Sequence, residues 1–162
     1  MILIALGANL PSPSGPPRAT LEEALLELQR RNISVLATSN FYQSRAWPDP
    51  RDPFFVNAVA QIEAKRTPRE LLALMREIEI MFGRTIQRRN APRTLDLDLL
   101  DFNGLVDKEP PILPHPRLNE RAFVLVPLSD VAPDWRHPVS ALSVSALIAA
   151  LPPEAAALTK LA

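Results

Sequence analysis

The chain has 162 residues, 47% of them hydrophobic and 22% charged, which is the composition of one folded domain with a sizeable core and excludes a disordered polymer. Eighteen Lys and Arg balance eighteen Asp and Glu, so no global field draws the chain to nucleic acid or to an anionic membrane, and any anion site has to be local. The chain holds no cysteine, which excludes disulfides, thiolate metal sites and cysteine nucleophiles and fits a reducing cytoplasm. No stretch approaches the ~18 apolar residues that cross a bilayer, and the apolar opening Met1 to Leu6 lacks the basic flank and the length of a signal peptide. A single cytoplasmic domain over residues 1–162 is expected, a monomer with no nucleic-acid or membrane partner. Its 18 prolines concentrate at 11–17, 48–53 and 110–116, which predicts stiffened loops there.

In chain order, Met1 to Leu6 ends at Gly7 and reads as a strand buried on both faces. From Pro17 to Arg31, Leu21, Ala24, Leu25 and Leu28 carry the spacing of an amphipathic helix, with Thr20 and Glu23 as a possible capping box inside it. Residues 33–44 and 55–64 are rich in β-branched, aromatic and small apolar residues and read as two strands joined by a proline-stiffened loop. Thr67-Pro68-Arg69-Glu70 sets an N-cap, a first-turn proline and a capping-box glutamate in order. Leu71, Leu74, Met75, Ile78 and Phe82 then line one helical face, and Gly83 stops it. Residues 95–102 alternate as a strand, Phe123 to Leu128 are apolar, and Leu142 to Leu151 read as helical. Strand, helix, strand, strand, helix, strand is the split βαβ order of a ferredoxin-like α+β sandwich, a mainly antiparallel sheet with helices packed on it. The residues after Phe102 form a C-terminal extension that decorates this motif or builds part of a site.

The chemistry concentrates beside the last predicted strand. Asp96 and Asp98, two apart, leave one face with Cα atoms roughly 6.6 Å apart, so two carboxylates can converge on a cation. Magnesium takes hard oxygens, usually one or two carboxylates plus substrate phosphates. The same spacing also describes a solvated strand face. Just upstream, Arg84, Arg88, Arg89 and Arg93 place four cations in ten residues with no acid among them. Guanidinium forks that grip phosphate oxygens beside carboxylates that present a metal would suit a polyphosphate, although a surface salt-bridge network gives the same pattern. Glu79 projects at the edge of the apolar helix face and needs a partner, either an arginine or a ligand hydroxyl. With glycine only at 7, 15, 83 and 104, neither a P-loop nor a G-x-G-x-x-G is present. Two histidines and no cysteine argue against zinc. Pro114-His115-Pro116 with Arg117 and Arg121 nearby suggests a second phosphate-facing patch, or a structural histidine. Phe54, Phe55, Asn57 and Phe123 offer rings and an amide for a flat heterocycle, and the rings equally suit a core.

In these residues the chain resembles the 6-hydroxymethyl-7,8-dihydropterin pyrophosphokinases of folate biosynthesis, over nearly its whole length. The resemblance rests on Gly7-Ala8-Asn9-Leu10, Phe41-Tyr42-Gln43-Ser44, Phe55-Val56-Asn57-Ala58-Val59, Ile78-Glu79 with Gly83-Arg84, Ala91-Pro92-Arg93-Thr94-Leu95-Asp96-Leu97-Asp98, and Leu113-Pro114-His115-Pro116 with Arg121-Ala122-Phe123-Val124-Leu125. It implies a ferredoxin-like fold and transfer of a diphosphoryl group from ATP to the pterin hydroxymethyl group, releasing AMP. By the same resemblance Asp96 and Asp98 bind two Mg²⁺ ions, Arg84, Arg93, His115 and Arg121 hold the nucleotide phosphates, and Glu79 lies on the nucleotide side. Phe55 and Phe123 sandwich the pterin while Asn57 and Ser44 read its edge. In-line attack on the β-phosphorus would draw on Asp96, Asp98, Arg84 and Arg93 for catalysis. Asp96 beside the attacking hydroxyl and metal activation of that oxygen both stand as routes for its proton. Where the family often has a second arginine this chain has Ile86, with Arg88 as the replacement cation at the ATP, and Asn90-Ala91 stand where a tryptophan and glycine precede Pro-Arg. Arg45-Ala46-Trp47-Pro48 and Asp52 depart from the pattern in the other site loop.

Two other readings compete. A ferredoxin-like sheet can stack RNA bases on aromatics, but the chain has no Lys/Arg-Gly-Phe/Tyr-Gly/Ala-Phe run and no basic excess. A catalytically impaired relative that only binds pterin or nucleotide is disfavoured by the intact aspartate pair.

Overall fold

The computed structural model describes residues 1–46, 49–85 and 91–162. Strands β1 (Ile2–Ala8), β2 (Ser34–Thr38), β3 (Tyr42–Ser44), β4 (Phe55–Glu63), β5 (Asp96–Phe102) and β6 (Lys160–Leu161) form one sheet. Its order is β5-β1-β4-β3-β6, with β2 beside β3 on the free edge of β4. The described pairings are all antiparallel. Helices α1 (Pro17–Arg30) and α2 (Pro68–Met81) complete the expected ferredoxin-like order.

The single strand expected over 33–44 is divided into β2 and β3. Val35 and Ala37 bracket a register shift against β4. At Ser39 the side-chain hydroxyl accepts the Val59 N–H at 3.0 Å, taking the place of a backbone carbonyl and interrupting the ladder. The break turns the chain so that β3 resumes opposite Phe55 and Asn57, at the end of the sheet where the site lies.

Central β1 is apolar on both faces, as its sequence predicts, and each face seeds a core. Ile2, Ile4 and Leu6 pack with Leu21, Ala24 and Leu28 of α1 and Leu71, Met75 and Ile78 of α2. On the opposite face Leu3, Val59 and Leu100 meet the extension, where α3 (Ala122–Val131) supplies Val124, Leu125 and Leu128 and α4 (Val144–Ala149) supplies Val144 and Leu147. The extension is therefore a second helical layer. α4 fulfils the helix expected over 142–151, its N-terminus capped by Ser143 Oγ accepting from Ala146 N at 3.2 Å. After α5 (Pro153–Ala157), β6 adds to β3, a pairing of two residues that the sequence pattern did not suggest.

α1 begins at Pro17 with Pro16 as its N-cap, so Thr20 and Glu23 do not form the capping box considered above. Thr20 is buried one turn into the helix, and its hydroxyl pairs with Ser12 Oγ at 2.7 Å and reaches the Pro16 carbonyl. In α2 the box is complete. The Thr67 hydroxyl accepts from Glu70 N, and Glu70 Oε2 accepts from Thr67 N at 2.7 Å. Gly83, at a φ of +86°, takes the left-handed step that ends this helix and turns Arg84 back along it. Thr67→Ala should cost about 1 kcal/mol of stability, read in urea denaturation as a lower midpoint at unchanged slope; an unmoved midpoint would show that the cap contributes nothing.

Candidate active site

The site forms at the end of the sheet where β1, β4 and β5 run out under the start of α3. Asp96 and Asp98 alternate with Leu95, Leu97 and Leu99, which are buried against α1 and α2, so both carboxylates stand on the other face. They pair in register with Gly7 and Ala5 of β1. These small residues leave a trough. A Cβ on Gly7 would come to 3.3 Å from Asn57 Oδ1 and 3.8 Å from the Phe55 ring, so glycine lets the β4 side chains lie across the floor.

The result is an open cleft of about 330 Å³, lined among others by Ser44, Phe55, Asn57, Arg93, Asp96, Asp98, Arg121 and Phe123. One wall is aromatic and amide-bearing. Asn57 is buried and donates through Nδ2 to Ser44 Oγ at 2.9 Å, which fixes the amide against β3. Phe123 sits where α3 begins, with the Arg121 guanidinium 5.6 Å from its ring centre. Phe54 is half exposed and is not among the residues lining this cleft.

The other wall is ionic. Asp96 Oδ1 accepts from Arg84 Nη1 at 2.9 Å and Arg93 Nη1 at 2.8 Å, and Asp98 Oδ2 accepts from Arg121 Nη1 at 2.9 Å. His115 Nε2 lies 3.8 Å from the same oxygen of Asp98. Its Nδ1 accepts the Arg117 N–H, which leaves Nε2 to carry the proton of a neutral ring. Burial pushes His115 below its ordinary value, against the attraction of Asp98.

A second cleft of about 410 Å³ opens on the far side of Arg93, lined by Leu10, Arg76, Glu79, Ile80, Arg84 and Thr94 among others. Glu79 is buried at its floor and holds two partners, Arg84 Nη1 and the Leu97 N–H at 2.7 Å. The expected partner of this carboxylate is thus an arginine together with a strand amide. Thr94 Oγ1 is buried with no hydrogen-bond partner among the described residues, a polar atom at the edge of this cleft.

The structure brings together twelve of the residues singled out from sequence, Arg117 of the His115 segment among them, with Arg93 standing between the two clefts. Arg88 lies outside the described residues, as do Ile86, Arg89, Asn90, Trp47 and Pro48. Asp101, which continues the acidic run in sequence, does not join the site. A register shift in the β1–β5 ladder sets it opposite Leu3, where its carboxylate accepts from Trp135 Nε1 at 2.6 Å and from Gly104 N at 2.8 Å. Arg45 and Glu120 also line the first cleft; Arg45 was placed in a site loop by the resemblance without a role of its own, and Glu120 was not picked out.

Fold and clefts together describe a ferredoxin-like α+β protein whose sheet carries paired acids and clustered arginines in an open groove. The chain belongs to the 7,8-dihydro-6-hydroxymethylpterin-pyrophosphokinase (HPPK) family, whose family model matches residues 3–133. A 2-amino-4-hydroxy-6-hydroxymethyldihydropteridine pyrophosphokinase from Haemophilus influenzae is 40% identical over 138 residues, covering 85% of this chain and 84% of its own. The protein of the same name from Synechocystis is 36% identical over 148 residues, covering 90% of this chain and 73% of its own. In three dimensions the chain is similar to the crystal structure of Plasmodium falciparum HPPK-DHPS with pterin and p-hydroxybenzoate, at a TM-score of 0.70 and 13% identity over 91% of this chain. It spans 43% of that longer chain, and the likeness carries the fold.

Burial pushes Glu79 up to about 7 from an ordinary 4.5, against the opposing pull of the Leu97 amide and the Arg84 guanidinium. A native value above the unfolded one means that the folded protein binds the extra proton between pH 4.5 and 7. That contribution to stability is complete below the window and is lost as pH rises through it. Glu79→Gln removes the titration, so the stability difference should move in the variant's favour from pH 4.5 to 7 and level off above; parallel pH curves in denaturation would exclude the raised value.

Proposed function

We infer that this protein transfers the diphosphoryl group of ATP to 6-hydroxymethyl-7,8-dihydropterin, giving AMP and the pterin diphosphate, as a step of folate biosynthesis. Family membership supports the reaction. The observation that carries the assignment to this cleft is the position of Asp96 and Asp98 on one strand face, between an amide-and-aromatic wall and an arginine wall.

The pterin is assigned to the wall of Phe55, Phe123, Asn57 and Ser44. Its flat rings suit the two phenylalanines, and its polar edge suits the Asn57 amide that Ser44 holds in orientation. ATP is assigned to the arginine side. Arg84 and Arg93 would grip phosphate oxygens with Arg121 and His115, and Glu79 would lie on the nucleotide side, in the second cleft. Two acids alone are a fitting donor set for Mg²⁺, which prefers hard oxygens and takes its remaining ligands from phosphates and water. Among the described residues no group of three or more acids and histidines is placed to hold a metal without such help. Asp96 and Asp98 would hold two ions; when bound, these would neutralise phosphate charge and polarise the reacting oxygens.

The pterin hydroxyl attacks the β-phosphorus in line: an O–P bond forms, the bond from that phosphorus to the AMP oxygen breaks so that AMP leaves, and the hydroxyl proton is lost, with Asp96 as acceptor or to solvent should a bound metal acidify that oxygen. What the chain contributes is position and charge. Arg93 and Arg121 flank the acids and are set to stabilise the negative charge that spreads over the transferring group. Phe55 and Phe123 restrict the pterin so that its hydroxyl meets the phosphorus at high effective concentration. Among the described residues no helix is long and apolar enough to cross a membrane. The chain is further read as one domain acting as a cytoplasmic monomer on small molecules only; its balanced charge supports the lack of a nucleic-acid partner and its lack of cysteine supports a reducing compartment.

Incubation with Mg²⁺, ATP and the hydroxymethyl dihydropterin should yield AMP and pterin diphosphate in equal amounts; ADP in place of AMP would overturn the reaction. Asp96→Ala and Asp98→Ala should each lower turnover by at least a thousandfold with an unchanged circular dichroism spectrum, and near-normal turnover in either variant would remove that residue from the site.

A further inference from the structure

Asn9 is buried just beyond the end of β1, and its hydrogen bonds reach both walls of the cleft. Its backbone N–H donates to the Arg93 carbonyl at 3.1 Å, and Leu10 N donates to the same oxygen at 3.2 Å. Its side-chain Oδ1 accepts from Arg93 N at 2.8 Å. Its Nδ2 donates to the Pro53 carbonyl at 3.1 Å. Arg93 stands between the two clefts and holds Asp96, whereas Pro53 leads two residues later into Phe55 of the aromatic wall. One primary amide therefore bridges the two walls.

The sheet does not require this bridge. Ladder pairing of β1 ends at Ala8 opposite Val56 and at Gly7 opposite Asp96, so the link at Asn9 begins where the ladder has finished. The bridge also needs both halves of the amide, since one loop presents a donor and the other an acceptor. A carboxylate supplies only the acceptor, and a methyl group supplies neither.

We propose that Asn9 is a positioning residue that couples the pterin wall to the polyphosphate wall, acting through Pro53 on one side and Arg93 on the other. The proposal rests on the reaction assigned above. Without the amide, each loop is free to settle independently, and the two substrates lose their mutual alignment.

The test compares wild type, Asn9→Asp and Asn9→Ala in steady-state kinetics with Mg²⁺, ATP and the hydroxymethyl dihydropterin. Asn9→Asp keeps an acceptor for Arg93 N–H but loses the donor to Pro53. Its KM for the pterin should rise about tenfold while its KM for ATP stays within about threefold. Asn9→Ala loses both arms and should raise both constants by about tenfold. Protonation of the new carboxyl restores a donor toward Pro53. Relative to wild type, the pterin defect of Asn9→Asp should therefore shrink as pH is lowered, whereas that of Asn9→Ala should not. A merely structural role gives equal, pH-independent rises in both variants, and that result, or constants unchanged in Asn9→Ala, would overturn the proposal. Should a variant fail to fold, amide exchange on the wild type decides: pterin binding should slow exchange at Arg93 N–H, on the opposite wall, and no change there refutes the link. A wild type that makes no AMP counts against the reaction, while the exchange measurement reads the link without turnover.

Discussion

Asp96 and Asp98 leave the same face of β5 and are only part-exposed, and two anions held that close need cations beside them. In this structure the cations are guanidinium groups. Arg84 and Arg93 converge on one oxygen of Asp96, and Arg121 takes one oxygen of Asp98. Such pairs are modest sources of stability when partly solvated. Their consequence here is positional, because each arginine is already parked within reach of the place where phosphate charge is expected. Under the proposed reaction, phosphate oxygens would take over the guanidinium groups while the carboxylates became free to hold the accompanying cations.

That network is possible because the sheet is covered on both sides. Leu95, Leu97 and Leu99 anchor β5 to α1 and α2, which leaves the alternate face for the acids. On that face the extension buries Leu3, Leu100 and Val59 and reaches only the edge of Ala5. Beyond them β1 offers Ala5 and Gly7, too small to fill the space, and the cleft opens there. The division between core and site thus follows from side-chain volume along one central strand. The register shift opposite Leu3 completes it, turning Asp101 inward to bond Trp135 so that the third acid of the run serves packing.

Much of this was legible locally. α2 could be read from Thr67-Pro68-Arg69-Glu70 and Gly83 because caps and stops are decided within one turn of helix. The shared face of Asp96 and Asp98 follows from the period of a strand. The break at Ser39 was not legible, since a serine hydroxyl can replace a carbonyl in the ladder only once Val59 lies opposite it. Nor was β6, whose two residues gain a partner only through the tertiary fold. In the site, the closeness of Arg121 and His115 to Asp98 depends on the extension folding back, which residue spacing does not encode. Phe55, Asn57 and Phe123 could be read as rings and an amide for a flat heterocycle, but the pterin itself came from family resemblance, since such phenylalanines taken alone more often belong to a core. Glu120 carried no signal in the sequence, because a single charged residue in a loop looks the same whether it faces a cleft or water.

Charge gives the last constraint. The chain is neutral overall, and among the described residues the first cleft is lined by four arginines and three carboxylates, an excess of one positive charge. A polyphosphate carries several negative charges, more than this excess offsets even with Arg84 added from the second cleft. Removing the acids would improve that balance, yet Asp96 and Asp98 line the cleft beside its arginines. Acids at the centre of an anion site make electrostatic sense if they recruit mobile cations, two positive charges for each metal, and so add more charge than they subtract. In the proposed complex the arginines would answer the part of the phosphate chain that such metals do not reach. The same pair would be a liability in a site built for a neutral ligand or for a bare anion, which is why the balance of charges favours a metal–polyphosphate complex over either.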